Sequence, residues 1–206
     1  MTIRSEGIGM ATKSSGQTRE KIVEAAIELF AKKGFDRTTV DEIVANAGVA
    51  KGTFYLYFKS KDDLIKELAF EVMPIMAMPS LNDPYITVSF PTLESYLLQL
   101  GKEFLEFYSY DYRSEIFFHM LSLRERMESV KKIYEQACSE LLREGARRIT
   151  AYAKVSYEEA LLAFQMFLAS LMHYLHARNC LGFSRDHYLK KVTDAVLNHL
   201  KLSSSF

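Results

Sequence analysis

From Thr18 to Lys33 the apolar residues Ile22, Ala26, Leu29 and Phe30 recur at one-face helical spacing, with Glu20, Glu24 and Glu28 on other faces. The spacing predicts a first helix over 18–33. Lys32 and Lys33 suit the negative end of its dipole, and Gly34 followed by Phe35 suits its C-terminal cap. Thr39-Val40-Asp41-Glu42 then reads as a capping box: a Thr hydroxyl accepts from a backbone N–H and a Glu three residues on reaches back. The second helix turns Ile43, Val44 and Ala47 inward and stops at Gly48. A third follows at 51–57, with Phe54 and Phe58 toward the core. Helices this short cannot stand alone and must pack on their neighbours. Two of them joined through a Gly turn form a helix-turn-helix pattern.

All four prolines, Pro74, Pro79, Pro84 and Pro91, fall in one stretch and break an otherwise helix-compatible chain. A connecting helix over 62–77 precedes the break, with Pro74 near its end as a kink. Residues 85–90 (YITVSF) have strand propensity, but the run is short and proline-bounded, so it reads as loop. Five helices follow, at 92–110, 113–123, 125–152, 157–180 and 185–202. Ser156 and Ser184 are candidate N-caps and Gly182 a candidate cap residue. The expected fold is all-α: a flexible arm at 1–17, a helix-turn-helix domain at 18–61, and a connector with a helical bundle at 62–206.

Composition removes several classes. With 206 residues, 49% apolar and 25% charged, the chain has an ordinary globular make-up and needs no disulfide framework. The net charge is zero, which excludes a wholesale basic coat but not a local basic patch. Residues 1–61 hold ten basic and seven acidic side chains, so the basic excess sits on the short-helix part. Cys138 and Cys180 lie far apart and read as reduced thiols in a cytoplasmic protein. The N-terminus lacks the apolar core of a signal peptide. The charge-free run from Ala160 to Ala177 is interrupted by Gln165, Ser170, His173 and His176 and reads as a buried helix, with no membrane partner expected. His173 and His176 share a helical face but lack a carboxylate in that turn, so no metal is expected. There is no Gly-rich phosphate loop, G-x-S-x-G or H-E-x-x-H, so neither enzymatic activity nor a cofactor is expected.

The run AKKGFDRTTVDEIVANAGVAKGTFYLYFKSKDDLI, residues 31–65, closely resembles the DNA-binding domain of TetR-family transcription regulators. The resemblance extends over residues 18–66 and implies a homodimer that binds double-stranded DNA, with a C-terminal bundle that takes an inducer and dimerises. On that basis the third helix enters the major groove. Lys51 and Thr53 become readers or phosphate binders, and Gly52 permits close backbone approach. The Tyr55 and Tyr57 hydroxyls either reach DNA or pack. Lys61 stands before a helix N-terminus that suits phosphate, and Thr39 is a cap or a cap plus phosphate contact. Leu56 either touches a thymine methyl or packs.

In the bundle, aromatics crowd residues 104–120 with methionines nearby. Met73, Met76, Phe104, Phe107, Tyr108, Phe117, Met120, Tyr134, Phe164, Phe167 and Leu171 are candidates to line a pocket for a hydrophobic small-molecule effector, although a filled core predicts the same residues. Ala163, Ala169, Ser170, Ala177, Val192 and Val196 are candidates for a two-fold interface built from the last two helices. The expected function is a ligand-responsive repressor released from a palindromic operator. The alternative is a nucleoid-associated or protein-partnered DNA binder without an inducer.

Overall fold

The computed structural model describes residues 8–82, 89–109, 113–177, 180 and 182–203. Among them are nine α-helices and no strand: α1 (Ile8–Lys33), α2 (Val40–Ala47), α3 (Lys51–Tyr57), α4 (Lys61–Glu71), α5 (Leu93–Phe107), α6 (Arg113–Leu123), α7 (Glu128–Tyr152), α8 (Tyr157–Ala177) and α9 (Arg185–Ser203). A 3-10 turn occupies Pro79–Asn82. The all-α reading therefore holds for the described residues.

The chain forms two compact units. The first contains the described part of Met1–Glu71 together with Glu115–Val130; the second contains the described parts of Val72–Ser114 and Lys131–Phe206. This differs from a division at residues 61 and 62. Helix α4 belongs with the helix-turn-helix because Leu64, Ile65, Leu68 and Ala69 are buried in the first unit. The segment 115–130 joins the same unit: the Phe35 and His119 rings meet edge-on with centroids 6.0 Å apart, and Arg126 donates to Asp36 at 2.8 Å.

Two helix ends differ most from the sequence reading. Helix α1 begins at Ile8, so residues 8–17 are helical and not a flexible arm. No proline interrupts them, and extending an existing helix costs far less than nucleating one. Helix α4 ends at Glu71 and not near 77, so Pro74 lies outside it and kinks no helix. Proline offers no N–H to the preceding turn and disfavours α geometry in the residue before it. Met73 to Ala77 instead close turns through Met76 N–H to Met73 O and Ala77 N–H to Pro74 O. Most of the 85–90 run lies outside the described residues.

The caps match their residues. Thr39 closes the capping box on α2, and Gly48 ends that helix in the left-handed region at φ +65°. Ser156 and Ser184 accept from Glu159 N–H and His187 N–H at the starts of α8 and α9.

In the second unit α9 lies against both α8 and α5. Two glycines allow this unit to close. A Cβ on Gly101 would meet Leu189 Cδ1 at 2.2 Å, and one on Gly145 would meet the Phe164 ring at 2.2 Å. Leu189 can shift the end of its side chain, whereas Phe164 is an aromatic ring with no exposure. Gly145→Ala is therefore expected to lower the unfolding free energy by about 1–3 kcal/mol, the usual cost of overpacking, read as a lower urea midpoint. An unchanged midpoint would show that the ring has room to move.

Candidate nucleic-acid interface

The first unit is organised by what its short helices bury. Phe54 and Phe58 have 0% and 1% exposure, and their rings stand 5.5 Å apart. They face a core that includes Ile22, Phe30, Phe35, Ile43 and Leu64. With Phe54 committed inward, α3 turns Lys51, Gly52, Tyr55 and Leu56 outward, and exposed Lys59 follows just beyond its C-cap. These positions repeat at one-face helical spacing. Thr53 and Tyr57 are half-buried at its edges.

The sequence candidates divide by what they already bind. Lys51 Nζ lies 2.7 Å from Asp41, both exposed, and this contact holds the ammonium above its usual pKa. An exposed pair of this kind is worth little, so a phosphate can replace Asp41. Gly52 has open space where a Cβ would stand, so its backbone is accessible. Tyr55 is 50% exposed and rests edge-on against Phe54 at 5.3 Å. Thr39 is exposed, but its hydroxyl is engaged in the cap: it accepts from Glu42 N–H at 3.3 Å and donates to Glu42 Oε2 at 2.8 Å.

Lys61 differs from its expected role. Its ammonium donates to the Phe35 carbonyl at 2.8 Å and to the Thr38 carbonyl at 2.9 Å. Those residues form the turn between α1 and α2, and Thr38 itself has no exposure. The side chain is a clamp from α4 onto that turn, which commits two of its three ammonium N–H groups there. Spacing along the chain could not show this, because the acceptors are backbone atoms more than twenty residues away.

Glu42 is the other electrostatic fixture. Its carboxyl is held down to about 2, first by the hydrogen bond from Lys33 and then by the Thr39 N–H and hydroxyl. A carboxyl depressed on folding stabilises above its unfolded value near 4.5, and that stabilisation is lost as pH falls through about 2.

Leu56 lies beside Tyr55 on the exposed face of α3. It is 82% exposed, so it does not pack within the chain.

The bundle candidates are spread over both units. Met73, Phe104, Tyr108, Phe164, Phe167 and Leu171 are buried in the second unit; Phe107 and Tyr134 are half-buried there, and Met76 is 46% exposed. Phe117 and Met120 are buried in the first unit. The eleven residues therefore do not form one lining within either unit. Two buried hydroxyls of the second unit, Tyr96 Oη and Thr193 Oγ1, have no hydrogen-bond partner. Burial holds the Tyr96 phenol well above its usual pKa. A surface cleft of about 490 Å³ in that unit is lined instead by Glu94, Lys191, Asp194, Asn198 and Lys201, among others.

The dimer candidates need correction too. Ala163 and Val196 are 0% and 2% exposed inside their own unit and cannot meet a second copy. Ala169 is exposed, while Ser170, Ala177 and Val192 are half-buried. The sequence reading missed Leu162 and Met166, which with Ala169 and His173 form an exposed stripe along α8 at i, i+4, i+7 and i+11. This helix is long and apolar enough to cross a membrane by length and composition, yet its opposite face, including Ala160, Phe164, Phe167 and Leu171, is buried in the unit.

A seven-residue helix held against two others, with a solvent-facing stripe bounded by lysines, defines a helix-turn-helix module. Residues 22–68 match the model for bacterial regulatory proteins of the tetR family. An uncharacterized HTH-type transcriptional regulator of Bacillus subtilis, YvdT, is 50% identical over 60 residues, which is 29% of this chain and 30% of that protein. This chain thus spans about a third of that relative's length. The regulator QacR of Staphylococcus aureus is 26% identical over 62% of this chain and 70% of its own. The crystal structure of FadR from Bacillus subtilis in complex with stearoyl-CoA shares the fold, with a TM-score of 0.66 at 20% identity, covering 88% of this chain and 98% of that one.

Two outcomes follow from these contacts. Lys61→Met keeps the apolar stem but leaves two turn carbonyls without their donor. It should lower the unfolding free energy by about 1–3 kcal/mol while leaving the salt dependence of DNA binding unchanged. A reduced salt slope with unchanged stability would identify Lys61 as a phosphate ligand. Glu42→Gln keeps a cap acceptor and removes only the charge. The wild-type advantage in unfolding midpoint should be steady near neutral pH and shrink between about pH 4.5 and pH 2. A gap constant to pH 2 would mean that the charge contributes nothing.

Proposed function

We propose that the chain is a transcriptional repressor that binds a near-palindromic operator as a homodimer and is released by a hydrophobic small molecule. The observation that carries the reading is the outward stripe of α3, where Lys51, Gly52 and Tyr55 are accessible while Phe54 and Phe58 anchor the helix from behind. Lys51 contacts phosphate after exchanging Asp41, and Gly52 with Thr53, Tyr55 and Tyr57 meets the groove. Two copies place two such helices on successive half-sites. The exposed stripe Leu162, Met166, Ala169 and His173 on α8 supports the two-fold contact, joined by Val192 on α9.

The buried aromatic interior of the second unit, with the unpartnered hydroxyls of Tyr96 and Thr193, supports an effector that is apolar with a few polar atoms. The stearoyl-CoA complex of the structurally similar FadR makes acyl-CoA thioesters the first class to screen. An effector releases the operator only by binding the released conformation more tightly than the DNA-bound one.

The test is selection of bound duplexes from a random pool at two salt concentrations. A palindromic sequence should be enriched and should survive added salt. Lys51→Ala should weaken binding to all duplexes alike and lower the salt slope by about 1 per protomer. Absence of enrichment at low salt would overturn the DNA-binding reading, and salt-sensitive binding to every duplex would favour a nucleoid-type binder. An acyl-CoA that binds without changing operator affinity would sink the release mechanism.

A further inference from the structure

We infer that Leu56 is a specificity-determining residue that reads the C5-methyl group of a thymine in the major groove. The inference rests on the DNA-binding reading above and adds to it a residue and a base. Leu56 has 82% of its surface open to water, the largest fraction among the exposed large apolar side chains of the described residues. It lies on the same outward face as Lys51, Gly52 and Tyr55. Its neighbours on that face leave it uncovered, and Phe54 and Phe58 point the other way.

The chemistry of the side chain narrows its target. A leucine has neither donor nor acceptor, so it cannot pair with the N7, O6, N6, N4 or O4 atoms that line the groove, nor with phosphate oxygens. The one apolar group that the major-groove edge of a standard base pair presents is the thymine methyl. Geometry allows the contact. Helix α3 is about 10 Å long at 1.5 Å per residue, and the groove is about 12 Å wide, so Leu56 lies within the groove when Lys51 is at its rim. Tyr55 beside it supplies a polar tip, and the two lysines flank the pair. The stripe thus carries charge at its ends and an apolar reader between them.

Deoxyuridine tests this directly, because it differs from thymidine only by that methyl. The selected operator duplex is resynthesised with each thymine of a half-site replaced in turn. One position per half-site should lose roughly fourfold in affinity, the value of one buried methyl, and roughly fifteenfold when both half-sites are changed. In Leu56→Ala the same replacement should have no effect, and the variant should melt with the wild type because the side chain is exposed. Sensitivity to deoxyuridine that persists in Leu56→Ala overturns the assignment. So does a half-site that tolerates deoxyuridine everywhere, or a Leu56→Ala defect of equal size on thymine and deoxyuridine duplexes, which would place Leu56 on sugar. These outcomes leave the DNA-binding reading intact. Failure of the wild type to enrich any sequence overturns both.

Discussion

Helices of eight and seven residues, α2 and α3, lie well below the roughly 12–15 residues at which an isolated helix becomes even marginal in water. Their existence depends on tertiary burial, and the burial available is small: Ile43 and Val44 from one, Phe54 from the other, with Phe58 at its cap. Every inward position is therefore taken by a large apolar side chain. The remaining positions face outward for want of any alternative. What α3 shows to solvent is thus a consequence of what it must hide. This is why a module of so few residues presents a fixed surface.

The polar contacts of the first unit serve the same end from the rim. Glu42 is bound by Lys33 and by the Thr39 cap, Glu28 by Lys32 and Asn46, and Lys61 by two carbonyls of the α1–α2 turn. Each fixes the start of a short helix or its approach to α1. Lys51 is different. Its ammonium is anchored by an exposed aspartate, and such a pair is easily exchanged in water. The lysines are therefore not equivalent: Lys33 and Lys61 are fixed within the unit, whereas Lys51 on the outward face of α3 is loosely held.

Much of this was legible in the sequence because it is local. Thr39 with Glu42, Gly34, Gly48, Ser156 and Ser184 each signal a helix end through bonds that span a few residues, and the structure has those bonds. The Phe54–Phe58 anchor was readable from one-turn spacing. What failed depends on contacts distant in sequence. Lys61 resembles any surface lysine until the turn at Phe35–Thr38 folds onto it. Phe117 and Met120 belong to an aromatic cluster by sequence yet fold into the other unit. Ala163 and Val196 are small enough for a helix contact, but the contact they make is internal. Helix α8 is apolar on nearly all sides, so periodicity cannot say which face is outward.

That ambiguity shows why exposure has to be read with its surroundings. Leu162 and Met166 are exposed on an apolar helix, beside the half-buried Leu161 and Leu168, so their neighbours extend an apolar surface of the kind that a second apolar face covers. Leu56 is more exposed still, but it stands singly between Lys51, Tyr55 and Lys59. A lone leucine ringed by cations and hydroxyls gains little from an apolar protein face, because covering it would desolvate the lysines as well. A polyanion with a small apolar feature set among its acceptors satisfies both demands at once: phosphates meet the cations and a methyl meets the leucine. The two kinds of exposed apolar residue therefore ask for partners of different chemistry, and it is the polar residues around them that distinguish the two.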